Sequence, residues 1–236
     1  MIDVKIIKRV LLILVLLFVF AIGALGIAGY MEYRDALKEM PLSEKIEKIR
    51  KQPDYVTYDE IAPYLLDATV SVEDKRFYTH GGIDYLATAR AIASNVFYNG
   101  IVSGGSTITQ QLAKNLYFGY EPSVVRKAAE IFMAKDLEEH YTKEEILELY
   151  VNVINYGDNH IGIKQAAEGY FQIAPSALNL DQASLLAGIP QSPSNYQLSN
   201  HETVARKRQK VVLEAMLRDG KITEQQYEEM IAKIEK

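Results

Sequence analysis

The sequence predicts a mostly α-helical protein, and three observations support that fold class. Apolar residues recur at helical spacing over most of the chain beyond residue 57. T-x-x-E at 142–145 and T-x-x-Q at 223–226 have the form of capping boxes, which begin helices. Alternation of apolar and polar residues, the pattern of a half-buried strand, continues over no useful length.

The first element is an apolar segment, Val10–Gly29, that carries no charged side chain. A helix of about 20 residues spans the hydrocarbon core of a bilayer, which is about 30 Å thick. Lys5, Lys8 and Arg9 precede the segment, and the charges that follow it are roughly balanced. The positive-inside rule therefore predicts a cytoplasmic N-terminus and an extracytoplasmic domain.

A cleaved signal peptide is the alternative interpretation, with Ala24 or Ala28 near the cleavage site. The apolar region of a signal peptide usually has about 7–15 residues, fewer than this segment has. We therefore predict a single-pass protein of the cell membrane. Its parts would be a cytoplasmic tail over 1–9, an anchor over 10–29, a charged juxtamembrane stalk over 30–56 and a domain over 57–236.

Composition excludes several classes of protein. The chain of 236 residues contains no cysteine, so it has neither disulfides nor thiolate-held metals. Its formal net charge of −5 argues against nucleic-acid binding, because nucleic-acid binders are usually basic. The part beyond the anchor has about 200 residues, enough for one domain with a sizeable core.

The helices of the domain can be placed from their ends. An apolar stripe begins at Ile61 and ends near Glu73, and Asp84 is suited to cap the following helix. Pro122 is expected at the first position of a helix that continues to about His140. The two capping boxes begin helices after 142 and 223, and the first helix runs through 153. Gly220 ends the helix that precedes the last one.

The segment 95–106 interrupts this helical pattern. Two glycine turns punctuate it, and most of its other residues are apolar. It is either a loop packed on the core or a mobile flap that enters the membrane surface, and the residues alone leave both open.

The motif EDKRFYTHGGID at 73–84 places acids beside a histidine. A carboxylate such as Glu73, at a helix end beside aromatic residues, can have its pKa raised by partial desolvation and act as a base near neutral pH. Alternatively, Glu73 and Asp74 pair with Lys75 or Arg76 as surface charges. The local sequence by itself favours the surface pair.

The motif GGSTITQQLAKN at 104–115 combines small, hydroxyl and amide residues with one lysine. Ser106 or Thr107 is expected to begin a helix, which places Gln110, Gln111 and Lys114 on its first turns. A helix start with a nearby lysine attracts anions. Such a motif is, however, also a common form of turn and helix cap.

The motif RKAAE at 126–130 can be interpreted in two ways. Arg126 and Glu130 are spaced to form an ordinary surface ion pair. Alternatively, Arg126 and Lys127 hold a phosphate, with Glu130 as a second carboxylate.

Other charged residues have simpler interpretations. The basic cluster at 206–210 is expected to be a solvated helix face. His140, His160 and His201 lack the spacing of metal ligands, so no structural metal is expected. The sequence leaves open a site at which a divalent cation, magnesium or manganese, bridges a diphosphate and a carboxylate.

Five segments in order resemble one family: 73–84, 104–115, 126–130, KEEILELYVNVINYG at 143–157 and AGIPQSPSNY at 187–196. The chain is similar to the peptidoglycan glycosyltransferases, which include monofunctional transglycosylases and the N-terminal domains of bifunctional penicillin-binding proteins. The resemblance implies a lysozyme-like helical fold with a head lobe and a membrane-associated jaw lobe. It also implies polymerisation of lipid II, with the growing lipid-linked strand as donor.

The resemblance assigns roles to residues of the three motifs. It implies that Glu73 is the general base and that Glu130 assists catalysis or positions the reacting groups. The implied substrate-binding residues are Asp74, Phe77, His80, Ser106, Thr107, Gln110, Gln111, Lys114, Asn115, Arg126 and Lys127. The chain has neither S-x-x-K nor K-T-G, so no transpeptidase site is expected. Expected partners are the lipid substrates, the membrane and other cell-wall synthesis proteins. A glycan hydrolase and an inactive scaffold remain as alternatives.

Overall fold

The structure is a computed structural model that describes residues 4–97, 104–119 and 121–235. These ranges contain α-helices, short 3-10 helices, a π-helical segment at Lys114–Phe118 and loops but no strand. One isolated β-bridge joins Asn155 and Ile161. The predicted mostly α fold is therefore confirmed. The helices are α1 (Val4–Glu39), α2 (Leu42–Arg50), α3 (Pro63–Glu73), α4 (Tyr85–Phe97), α5 (Ile108–Ala113), α6 (Val124–His140), α7 (Lys143–Val153), α8 (Ile163–Phe171), α9 (Leu180–Gly188), α10 (Pro193–Tyr196), α11 (Leu198–Arg218) and α12 (Glu224–Ile234).

The predicted helix ends are mostly confirmed. Thr142 and Thr223 accept hydrogen bonds from backbone amides three residues on, and both capping boxes are complete. Gly220 follows α11 with a φ of 69°, a conformation that glycine adopts without steric cost. Asp84 caps α4, since its carboxylate accepts the Ala87 N–H at 2.7 Å.

The predicted start of α6 is wrong. The helix begins at Val124 rather than at Pro122, and Ser123 is its cap. The Ser123 hydroxyl oxygen accepts the Arg126 N–H, which satisfies one of the free amides of the first turn. Because proline has no such side-chain acceptor, the serine determines where this helix begins.

The core brings together helices from distant parts of the chain. α3 packs against α9 and α11, while the short α5 packs against α6 and α7. Phe77, Tyr150 and Tyr156 are the largest side chains that are fully buried in the described ranges. Glu73 is the last residue of α3, so this packing places it beside α11.

The N-terminal helix α1 is long and apolar enough to cross a membrane, and an 18-residue apolar window of it contains no residue buried by the rest of the described chain. This agrees with the predicted anchor over 10–29. The boundaries of the cytoplasmic tail and of the domain stay predictions.

The residues 30–56 do not form the separate stalk that the sequence suggested. Leu42, Ile46 and Ile49 of α2 are buried in the same core as the rest of the domain. Arg50 also donates a hydrogen bond to Glu145 on α7 at 2.8 Å. The mixed charges of this segment belong to the outer face of α2, while its apolar residues, spaced three and four apart, face the core. The predicted flap lies largely outside the described residues, which omit 98–103.

Candidate active site

Glu73 lines a crevice formed by the end of α3, by α4 and by the segment 104–107, and its carboxylate also faces side chains of α5 and α11. Its side chain is 12% exposed, and its Oε1 lies 4.0 Å from Nη2 of Arg208. The Gln111 side-chain amide donates a hydrogen bond to Oε2 at 2.7 Å. Burial raises the pKa of Glu73, and the Gln111 hydrogen bond and the charge of Arg208 only partly offset this effect. Glu73 is therefore a carboxyl group whose proton affinity is higher than usual.

Gln111 connects Glu73 to the core. Its side-chain oxygen accepts the hydroxyl proton of Tyr150 at 3.1 Å, which leaves the amide nitrogen to face Glu73. The backbone carbonyl of Gln111 accepts a hydrogen bond from the Asn115 side chain at 2.8 Å. Because Tyr150 is fully buried in α7, the orientation of the Gln111 amide is set by the core.

A second carboxylate, Glu130, is buried in α6 among cations. Its side chain is 1% exposed, with Nζ of Lys127 at 2.6 Å and Nε of Arg126 at 3.2 Å. The alternative of an ordinary surface pair for Arg126 and Glu130 is therefore wrong. Lys127 also donates to the Ser106 hydroxyl oxygen at 2.8 Å, which ties the glycine-rich segment to α6.

Lys114 interacts electrostatically with both carboxylates, Glu73 and Glu130. Burial lowers its pKa, and the neighbouring positive charges of Lys127 and Arg126 lower it further. The negative charges of Glu130 and Glu73 act in the opposite direction, but the net shift is downward. The cations and the two acids thus lie within electrostatic reach of one another. Their arrangement combines a proton acceptor with a positively charged site for an anion.

Comparison with known proteins identifies the family. A family model described as Transglycosylase matches residues 40–217.

The chain belongs to the transglycosylase family.

This membership confirms the resemblance to the peptidoglycan glycosyltransferases. The chain is 37% identical over 193 residues to a candidate transglycosylase of Cupriavidus necator, which covers 82% of this chain and 83% of that protein. It is 42% identical over 179 residues to penicillin-binding protein 1A of Aquifex aeolicus, 76% of this chain and 25% of that protein. It is 41% identical over 175 residues to penicillin-binding protein 1A/1B of Bacillus subtilis, 73% of this chain and 19% of that protein. The chain therefore spans about a quarter or less of the length of these penicillin-binding proteins.

Several predicted substrate-binding residues of this transglycosylase are buried supports in the structure. Asp74 accepts the Ile108 N–H at 3.1 Å and lies 2.8 Å from Nε2 of His80. Thr107 donates its hydroxyl proton to the Gly82 carbonyl at 2.6 Å. These bonds fasten the 74–84 loop to the start of α5. The roles of Asp74, Thr107 and His80 in substrate binding stay predictions. In the structure their polar atoms bind other parts of the protein.

Two further predicted contacts also face inward. Gln110 completes the capping box of α5, because its side chain accepts the Thr107 N–H and its own N–H reaches the Thr107 hydroxyl. Phe77 is fully buried, and Nζ of Lys143 lies 4.5 Å from the centre of its ring. Neither side chain is exposed to the crevice. Of the predicted set, the partly buried residues beside the two carboxylates or their direct partners are Ser106, Gln111, Lys114, Arg126 and Lys127. Asn115 is also partly buried and binds the backbone of Gln111.

Arg208 was missed as a site residue, because the basic cluster at 206–210 was expected to be solvated. Lys207 is exposed, as expected, and Lys210 pairs with Glu235 at 2.7 Å. Arg208 instead has a side chain that is 14% exposed and turned towards Glu73. Its position one turn before the buried Val212 could have indicated this, since residues four apart share a helix face.

The donor set for a metal can be tested on the residues themselves. Among the described residues, ligand atoms of Asp74, His80 and Asp84 lie within 4.8 Å of one another. Arg76 binds Asp84 through Nε at 2.8 Å, and backbone amides donate hydrogen bonds to the carboxylates of both Asp84 and Asp74. Glu130 is likewise paired with two cations. Asp84 and Glu130 are already paired with cations, and Asp74 is bonded to a backbone amide and His80, so these carboxylates do not fit a resident divalent cation. Magnesium or manganese at a diphosphate stays a prediction.

Proposed function

We propose that this protein polymerises lipid II into β-1,4-linked glycan strands, with release of polyprenyl diphosphate and inversion at the anomeric carbon. The observation that carries the proposal is the arrangement of a desolvated carboxylate, Glu73, within electrostatic reach of the cationic Lys114. Membership of the transglycosylase family and an N-terminal helix long enough to span a membrane support it.

In the proposed reaction, Glu73 is the general base. It takes the proton from the 4-hydroxyl group of the acceptor lipid II as that oxygen attacks the anomeric carbon of the donor strand. A sugar hydroxyl is a weak nucleophile until a base removes its proton. The raised pKa of Glu73 suits this role, because a carboxylate with higher proton affinity is a stronger base near neutral pH. Gln111 holds the carboxylate in place through its hydrogen bond.

The bond that breaks joins the anomeric carbon to the diphosphate of the donor. Its electrons leave with the diphosphate, so the leaving group needs positive charge more than it needs a proton. Lys114, Arg126 and Lys127 supply that charge in our proposal. Glu130 keeps two of these cations together, since it pairs with both Arg126 and Lys127. The attacking hydroxyl occupies the place that water has in an inverting glycosidase, which accounts for the inversion.

The proposed location follows from α1 and its flanking charges. We propose a single-pass protein of the cell membrane with a cytoplasmic N-terminus and an extracytoplasmic catalytic domain. The donor and acceptor, which carry polyprenyl chains, are then held in the same bilayer as the enzyme. Other cell-wall synthesis proteins are proposed partners.

A polymerisation assay tests the proposal. Purified protein is given lipid II in detergent or vesicles, and glycan products are separated by length. We expect chain growth with the wild-type protein and none with Glu73→Gln, which keeps the shape of the side chain but cannot accept the proton. Glu214→Gln is the matched control, because Glu214 is an exposed glutamate on α11.

Each outcome of this assay has a defined meaning. Wild-type polymerisation by a folded Glu73→Gln variant contradicts the role of the base. Cleavage of finished glycan without chain growth supports the hydrolase instead. No reaction with either substrate, from a folded wild-type protein, supports the inactive scaffold.

A further inference from the structure

The helix α1 continues beyond its apolar segment and packs along α6. Gly29 is buried, and a Cβ added there would lie 2.4 Å from the Cβ of Ala128 and 2.9 Å from its backbone carbon. The next residue of α1, Tyr30, contacts Phe132, which lies one turn after Ala128, and their ring centroids are 5.3 Å apart. The Tyr33 hydroxyl donates a hydrogen bond to Asp136 at 2.8 Å. In these three pairs the residue numbers increase along both helices, so α1 and α6 run side by side in the same direction.

The covered face of α1 begins inside the predicted membrane span. Leu25 and Ala28 are partly covered, whereas the residues from 7 to 24 whose exposure is described are exposed. Tyr33 and Leu37 continue the same face at helical spacing and pack against the core. The last turn of the span is therefore in contact with the catalytic domain.

This pairing defines a height for the cations on α6. Each residue advances about 1.5 Å along a helix, so Arg126 and Lys127 lie within about 3 Å of the level of Ala128 and hence of Gly29. Gly29 is the last residue of the apolar segment, where hydrocarbon gives way to lipid headgroups. Both side chains extend towards Glu130, three or four residues further from the middle of the bilayer, so their charged ends lie at the level of the headgroup phosphates.

We propose that the contact between Gly29 and Ala128 sets the depth of the catalytic domain in the bilayer and holds Arg126 and Lys127 at the phosphate plane. A lipid diphosphate then reaches these cations without leaving its bilayer. The inference rests on the proposed function and adds what determines the position of that same site relative to the membrane.

The start of α6 supports the same depth independently. Val124 precedes Ala128 by one turn, about 6 Å closer to the middle of the bilayer. Its apolar side chain is 70% exposed in the structure. At the depth set by Gly29 this side chain lies in the outer part of the acyl-chain region, where exposure of an apolar group costs nothing in hydration.

A fluorescence measurement tests the depth without relying on activity. The chain has no cysteine, so Val124→Cys places a single label at the start of α6. The labelled full-length protein is reconstituted in phosphatidylcholine and phosphatidylglycerol vesicles that contain lipids brominated at known depths. We expect the strongest quenching from the shallowest bromines and little from aqueous iodide. Strong iodide quenching without bromine quenching overturns the proposal.

A substitution at the contact then tests its cause. Gly29→Leu requires α1 and α6 to separate, since backbone atoms of Ala128 and Ala129 lie within 3.0 Å of the new Cβ. Gly23→Leu is the control in the same helix, because no atom lies within 4 Å of a Cβ there. We expect Gly29→Leu to move the label outward and Gly23→Leu to leave it in place. An unchanged label depth in Gly29→Leu overturns the proposal. Tyr33→Phe, which loses only the bond to Asp136, is a milder second variant if Gly29→Leu does not insert.

Activity on two substrates separates this inference from the proposed function. Gly29→Leu should lower turnover of lipid II in vesicles by about tenfold or more, because small misplacements of a site have large kinetic effects. Turnover of a short-chain, water-soluble analogue should stay within about twofold of wild type, since that substrate has no fixed depth. Equal losses on both substrates contradict the depth role. A wild-type protein that acts on neither substrate contradicts the proposed function, while the label depth still decides the inference.

Discussion

The guanidinium of Arg208, on α11, lies 4.0 Å from the carboxylate of Glu73, the last residue of α3. The burial of Glu73 and the charge of Arg208 have opposite effects on the pKa of Glu73. Burial raises the pKa of Glu73, and the charge of Arg208 moves it back towards the usual value. Arg208 therefore lowers the proton affinity of Glu73, as the Gln111 hydrogen bond also does, although it is distant in sequence from the three motifs.

Replacing Arg208 should change the pH dependence of the reaction. In Arg208→Met the pKa of Glu73 rises further, because the neighbouring positive charge is gone. The acid limb of the profile of kcat/KM should therefore move to higher pH. Lys207→Met is the control, since it removes an exposed cation from the same helix. A profile of Arg208→Met that coincides with that of wild type would show that Arg208 does not act through Glu73.

The wild-type profile itself should be a narrow bell. Activity requires Glu73 without its proton and Lys114 with one. The raised pKa of Glu73 places the acid limb above the usual range of a glutamate, and the lowered pKa of Lys114 places the alkaline limb below the usual range of a lysine. In Lys114→Arg the alkaline limb should move to higher pH, because arginine keeps its proton. An alkaline limb that stays unchanged in this variant assigns that limb to another group.

Lys114→Met should lower turnover on lipid II. The change removes a positive charge from the diphosphate site, and loss of one such stabilising group costs about 10²- to 10³-fold in kcat. Lys135→Met, an exposed lysine on α6, is the control and should keep wild-type kinetics. Equal kinetics in both variants would count against a role for Lys114 at the leaving group.

Asp74→Asn separates support of the site from direct substrate binding. The carboxylate accepts the Ile108 N–H in a buried bond and contacts His80 in a partly buried one. An amide replaces these bonds poorly, so the free energy of unfolding should fall by about 1–3 kcal/mol. Denaturant unfolding measures this loss. Unchanged stability together with a raised KM would instead favour the substrate-binding role that the family resemblance implies.

Asp181→Ala should destabilise the far end of the domain. Burial alone would raise the pKa of Asp181, but Lys233, Gln209 and Arg206 lower it below its usual value. Truncation removes the carboxylate that Arg206, Lys233 and the fully buried Gln209 share, a loss of about 1–3 kcal/mol in the free energy of unfolding.

The pH dependence of that loss has a definite sign. A carboxylate with a lowered pKa stabilises the fold above its unfolded pKa, about 3.9, and the contribution disappears as pH falls through the folded pKa. The difference between wild type and Asp181→Ala should therefore shrink below about pH 4. Glu202→Ala, whose side chain is 60% exposed, is the control and should have little effect at any pH.

The sequence predicted those features that depend on neighbouring residues. The capping boxes at Thr142 and Thr223 were identified because each needs only four residues of chain. The helix end at Glu73 followed from an apolar stripe that begins at Ile61, which is also a local feature of the chain. The start of α6 was misplaced because both Pro122 and Ser123 are good helix-start residues, and only the bond to the Arg126 N–H distinguishes them.

By itself the sequence determined the mostly α fold, the family and the apolar anchor, because periodicity, motif order and segment length are properties of the chain alone. Only the tertiary structure decided that Glu130 is buried, that Arg208 faces Glu73 and that α1 packs against α6 through Gly29. Burial and charge proximity depend on which helices meet across the core. A polar residue with an ordinary local sequence carries no record of the partner that packing brings to it.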